Sequence, residues 1–74
     1  MHVAMKAVFP VIIEQDEDGI YIASCPVLQG CHTYGRTVQE ALANIKEAIE
    51  AHLEARMLMG DPVPDVRMVE VEVA

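Results

Sequence analysis

Apolar and polar residues alternate at the start of the chain, recur with a longer period in its middle, and alternate again near its end. Over residues 3–14, Val3, Met5, Ala7, Phe9, Val11 and Ile13 share one parity, and Ala4, Val8 and Ile12 make the other parity partly apolar. This period of two predicts a strand that wants cover on both faces. Pro10 has no N–H to give to a ladder, so a bulge or an unpaired edge is expected there. The polar run "QDEDG" follows at 15–19. Asp18-Gly19 between two apolar runs predicts a hairpin, with "IYIAS" at 20–24 as the returning strand. "CPVLQG" at 25–30 is a loop punctuated by Pro26 and Gly30, and "CHTY" at 31–34 is a short third strand closed by Gly35.

The period then lengthens. Val38, Leu42, Ile45, Ile49, Leu53 and Met57 recur at helical spacing with Ala41 and Ala48 beside them, while Gln39, Lys46, Glu47, Glu50 and Glu54 take the wetter side. "TVQE" at 37–40 is a capping box: the Thr37 hydroxyl can accept from the Glu40 N–H, and the Glu40 carboxylate can reach back. Gly60 suits the left-handed position after the helix, and Pro62 and Pro64 forbid its continuation. In "VRMVEVEV", Val69, Val71 and Val73 alternate with Met68, Glu70 and Glu72, which predicts a half-buried last strand. The order is β-β-β-α-β in one domain spanning residues 1–74, an α/β (α+β) chain with a three-stranded antiparallel meander, one helix on one face, and a fourth strand.

Composition sharpens this picture. The chain is short, so its core is thin, yet 53% of its 74 residues are hydrophobic and its mean hydropathy is +0.24. One helix covers only one face of a sheet, and the first strand offers apolar groups to both. A homo-oligomer that buries the second face is therefore expected. The net charge of −7, with only five Lys and Arg in all, argues against direct binding of nucleic acid, whose phosphates need clustered cations. An acidic chain suits a basic protein partner instead. No run reaches membrane-spanning length and no export signal is visible, so a cytoplasmic location is expected, where a structural disulfide is not.

Two clusters could carry chemistry. Cys25, Cys31 and His32 fall within eight residues, and with a fourth ligand from His2, His52 or a neighbouring chain they could hold zinc. The spacing fits no short zinc knuckle, and adjacent Cys31 and His32 point to opposite faces of a strand. Both cysteines are read as small buried apolar groups. The same geometry makes His32 a poor base for a catalytic thiol. Asp16, Glu17 and Asp18 could attract Mg²⁺ or Ca²⁺, but the segment is too short for a calcium loop. They are read as a solvated hairpin tip and as candidate acidic contacts for a basic partner. Glu47, Glu50 and Glu54 line one solvated flank of the helix. No phosphate loop or nucleophile elbow is present, and neither an enzyme nor a cofactor is expected.

The ordered set of these residues resembles the HicB family of antitoxins. The resemblance rests on Asp18-Gly19, Tyr21, Pro26, Leu28, Gly30-Cys31, Thr33, Gly35, Thr37, Glu40-Ala41-Leu42 and Glu47-Ala48-Ile49. It implies a partial ribonuclease-H-like fold, with the last strand parallel to the first. It also implies a non-catalytic protein that binds and neutralises a small basic HicA-type ribonuclease toxin. Arg36 stands where such proteins commonly carry an acidic residue, and Ile20 where a second glycine is common. Family members often add a C-terminal DNA-binding segment; the chain stops at Ala74, so operator binding is not expected of it. The other readings are an orphan oligomeric domain that takes a metal or small ligand at Cys25–His32, a general interaction module, and a residual hydrolase.

Overall fold

The computed structural model describes residues 6–74. Three strands, β1 (Ile12–Gln15), β2 (Tyr21–Ser24) and β3 (His32–Gly35), precede a single helix, α1 (Val38–Met59). The sheet order is β1-β2-β3, with both pairings antiparallel. This is the expected α+β meander with a helix on one face.

The hairpin between β1 and β2 follows from Asp16 and Gly19. Gly19 sits at φ +83°, where a side chain would be strained. One carboxylate oxygen of Asp16 accepts from the N–H groups of Asp18 and Ile20, both at 2.9 Å, and the Ile20 carbonyl accepts from the Asp16 N–H at 2.9 Å. A short polar side chain that folds back on its own backbone is what makes Asp a turn residue. The Cys25–Cys31 loop closes differently. The Cys25 N–H donates to the Cys31 carbonyl at 2.9 Å, the Leu28 N–H to Cys25 and the Cys31 N–H to Leu28, each at 3.1 Å. Leu28, only 1% exposed, is turned inward.

The helix starts and stops where its caps dictate. The Thr37 hydroxyl accepts from the Glu40 N–H at 3.0 Å, which satisfies one of the first-turn donors. The return bond of the capping box, from the Glu40 carboxylate, is absent among the described residues. Gly60 takes the left-handed conformation at φ 76°, the cap geometry that ends many helices. The buried helix residues are Ala41, Ile45 and Ile49, with Ala48 and Leu53 packed beside them. Of the expected stripe, Leu42 is 45% exposed and Met57 71% exposed. The apolar face thus turns toward Ala41, because the helix approaches Gly35 closely there. A Cβ on Gly35 would collide with the Ala41 backbone nitrogen and lie 2.7 Å from its Cα. Asn44 fastens the same turn to the sheet by donating to the Tyr34 carbonyl at 2.8 Å. Ala23, Cys25, Leu28 and Cys31 complete the core.

Two expectations change. The first strand enters its ladder only at Ile12, just past Pro10; Val3 and Met5 lie outside the described residues. Residues 6–11 carry no ladder, although Phe9 and Val11 pack against the core. The fourth strand, expected parallel to the first, does not form. Residues 61–74 leave the body as a tail without regular structure, and Val69, Val71 and Val73 are 79%, 71% and 89% exposed. The exit explains part of this. The Arg56 carbonyl accepts from the Asp61 N–H at 2.8 Å, and the Arg56 guanidinium donates to the Pro62 carbonyl at 2.9 Å, so the chain leaves in a set direction. Alternation makes a segment competent to be a strand, but a strand persists only with a partner. The exposed tail contributes to a radius of gyration of 14.3 Å, against about 11 Å for a compact chain of this length.

Candidate partner-binding surface

Strand register sorts the sheet into two faces. The rows Ile13–Ala23–Thr33 and Gln15–Tyr21–Gly35 alternate with the rows Ile12–Ser24–His32 and Glu14–Ile22–Tyr34. Ala23 and Gly35 are buried, with Ile13 and Tyr21 packed against the core, so the first pair of rows faces α1. The second pair forms the outer face, which no described element covers. Ile12 is 46% exposed and Tyr34 is 56% exposed. The rings of His32 and Tyr34 meet edge to face, with centroids 6.2 Å apart and planes at 84°. Such a pair is a favoured aromatic arrangement. The outer face is thus a small platform of two isoleucines, a tyrosine and a histidine, with Glu14 at its margin. Aromatic groups that join an apolar body to a polar tip are the residues that dominate binding energy in protein interfaces.

The acidic hairpin stands at the β1–β2 end of this platform. Asp16, Glu17 and Asp18 are all exposed, but they are not equivalent. Asp16 spends a carboxylate oxygen on two backbone N–H groups and holds the turn. The carboxylates of Glu17 and Asp18 enter no hydrogen bond among the described residues. The expected acidic contact therefore divides into one structural residue and two free charges.

Cys25, Cys31 and His32 are not brought to a common point. Cys25 and Cys31 are 1% and 8% exposed and belong to the core, whereas His32 is exposed beside Tyr34 on the opposite face. Both thiols are free. Burial, with a smaller contribution from neighbouring Cys25, pushes the Cys31 thiol above its ordinary value of 9.0. It stays protonated at neutral pH and behaves as a small apolar group rather than a nucleophile. Among the described residues, no three His, Cys, Asp or Glu side chains are grouped so as to hold a metal ion. His52 accepts from the Arg56 guanidinium at 3.0 Å on the helix, within a helical turn. His2 lies outside the described residues.

Sequence reasoning separated Cys31 from His32 by parity, but it did not carry that parity to Tyr34 or across the register to Ile12 and Ile22. The shared parity of His32 and Tyr34 was the available signal.

The fold is a three-stranded antiparallel sheet with one face covered by a helix and the other open and partly aromatic. Comparison with known proteins gives its family. The family model described as the HicB_like antitoxin of bacterial toxin-antitoxin systems matches residues 9–74. A UPF0150 protein of Thermoplasma acidophilum is 45% identical over 65 residues, covering 88% of this chain and 94% of the relative. A UPF0150 protein of Archaeoglobus fulgidus is 42% identical over 65 residues, covering 86% and 94%. The N-terminal domain of the Burkholderia pseudomallei antitoxin HicB superposes with a TM-score of 0.72 at 30% identity, covering 82% of this chain and 72% of that one. The chain belongs to the HicB-like antitoxin family. Membership makes it a non-catalytic protein of the antitoxin type. Among the described residues, no helix is long and apolar enough to cross a membrane.

Proposed function

We propose that this chain neutralises a small, basic HicA-type ribonuclease toxin in the cytoplasm by binding it through the outer face of the sheet. Tyr34, Ile12 and Ile22 form the centre of the contact, and Glu17 and Asp18 form an acidic rim. The observation that carries this reading is the open His32–Tyr34 platform beside two free carboxylates, on a chain whose net charge is −7. The platform supplies area that can be desolvated, and the rim speeds encounter with a cationic partner. The charge that favours such a partner disfavours RNA or DNA, so the chain acts on the toxin and not on its substrate.

The test uses a small basic HicA-type protein, sought in the reading frames that adjoin this chain's own. Calorimetric titration and an RNA-cleavage assay should show stoichiometric binding and inhibition. Tyr34→Ala should weaken both by at least about 30-fold, as expected for a central aromatic anchor. Glu17→Lys should slow association and make binding less sensitive to salt. Glu17 is the better probe than Asp16, because removing Asp16 would also undo the turn. Full inhibition by Tyr34→Ala, or no complex with the unaltered chain, would sink the reading.

A further inference from the structure

Three hydrogen bonds converge on Arg56 at the end of α1. Its Nε–H donates to His52 Nε2 at 3.0 Å, an Nη1–H donates to the Pro62 carbonyl at 2.9 Å, and its own carbonyl accepts from the Asp61 N–H at 2.8 Å. One residue thus ties the preceding helical turn to the segment that leaves the helix. His52 and Arg56 are both partly buried, beside a hollow of about 370 Å³ that Gln29 and Asp61 also line. The cluster belongs to α1 and its exit, so it stands apart from the toxin-binding reading of the outer sheet face.

The direction of the first bond fixes the state of the imidazole. A guanidinium carries donors only and keeps its charge in proteins. Nε2 must therefore offer a lone pair, which makes His52 neutral with its proton on Nδ1. A proton added at Nε2 replaces that lone pair with a second N–H and sets a cation against a cation. We propose that His52 is a pH-sensitive latch on the exit from α1: neutral, it holds Arg56 against the Pro62 carbonyl; protonated, it expels the guanidinium and frees the chain from Pro62 onward.

The latch is closed above the titration of His52 and opens as pH falls through it, in the region where histidine ordinarily changes charge. The surrounding groups do not rescue it. One turn either side of His52 on the helix stand Ala48, Ile49, Ala55 and Arg56, of which Arg56 alone is charged. The Cys25–Cys31 loop brings the uncharged Gln29 to the hollow, and its two thiols are buried in the core. The exit segment brings Asp61. That carboxylate attracts either cation, but it cannot restore the acceptor that Arg56 loses on His52.

The opening is confined to the exit. The bonds from the Gly60 N–H to Met57 and from the Asp61 N–H to Arg56 run between backbone groups, so the helix end survives. Pro62 has no N–H to give, and among the described residues no other hydrogen bond joins residues 62–64 to the body. What the latch governs is the direction in which the exposed tail, with Val69, Val71 and Val73, leaves the protein.

The experiment is ¹⁵N relaxation of the full chain at about pH 8 and about pH 5.5, on either side of the ordinary histidine titration. It is read at Val63, the first residue past Pro62 with an N–H. The Val63 order parameter should be about 0.8 at the higher pH and fall below about 0.6 at the lower, while Ile45 in the middle of α1 stays near about 0.85 at both. The fall should follow the titration of the His52 ring signals. His52→Gln, which offers an oxygen that does not titrate, should abolish the pH response. His32→Gln, at the imidazole on the outer sheet face, should leave it unchanged. A Val63 order parameter that is the same at both pH values in the unaltered protein would overturn the latch. A response that persists in His52→Gln, or vanishes in His32→Gln, would overturn it equally. Circular dichroism at both pH values should show the same helix content, and a loss of helix at the lower pH would replace the latch by general unfolding.

Discussion

Toward the helix the sheet presents Tyr21, Ala23, Thr33 and Gly35; away from it stand Ile22, Ser24, His32 and Tyr34 from the same two strands. At Gly35 the inner face has no side chain because α1 comes so close that the Ala41 backbone rests against it. The outer residues are all at least partly exposed, and His32 and Tyr34 carry polar tips. Neighbours in sequence therefore serve opposite purposes: one face is fixed by packing, where every methyl group counts, and the other is left for contact. Changes to the inner face should be read out as stability, and changes to the outer face as binding.

Gly35→Ala is the harshest way to break this division. Its new Cβ would strike backbone that no rotamer can move, so a loss of about 3 kcal/mol or more is expected in urea unfolding. Leu28→Ala comes next, at about 3 kcal/mol, because it empties the plug of the Cys25–Cys31 loop; a loss below about 1 kcal/mol would mean that the loop collapses to fill the space. Thr37→Ala removes the helix cap and should lower stability by about 1 kcal/mol, visible as a lower melting temperature with the helix retained. Tyr34→Ala should change stability by no more than about 0.5 kcal/mol, as surface substitutions usually do. A large thermal shift for Tyr34→Ala would show that the outer face belongs to the protomer's own architecture and would erase the contrast.

Local signals carried most of the fold. Asp18-Gly19 marked the hairpin, Thr37 and Glu40 the helix start, and Gly60 its end, because each acts through backbone groups a few residues away. The helix face was read less well. Hydropathy favoured Leu42 over Ala41, whereas close approach to Gly35 rewards the smaller side chain, and closeness is set by the sheet. The last strand shows the same limit from another side: Val69, Val71 and Val73 declare a strand, but nothing in their alternation names the edge that will pair with it. For the candidate site, the acidic tip was legible as charge, though not that Asp16 would be consumed by its own turn. Ile12, Ile22 and Tyr34 went unassigned because a surface made from three strands depends on register, and register is not written in any one strand.

The strictly sequential strand order has a consequence in time. Every ladder joins segments adjacent along the chain, through the 16–20 turn and the 25–31 loop, and the helix follows directly. Proteins built from such short-range contacts fold quickly, because little loop entropy is lost before contacts begin to compensate. An intramolecular fourth strand would instead have to close a loop running from the first segment to the last. The protomer can therefore reach its folded form within milliseconds, through contacts between neighbouring segments. Refolding followed by circular dichroism should be fast and independent of protein concentration.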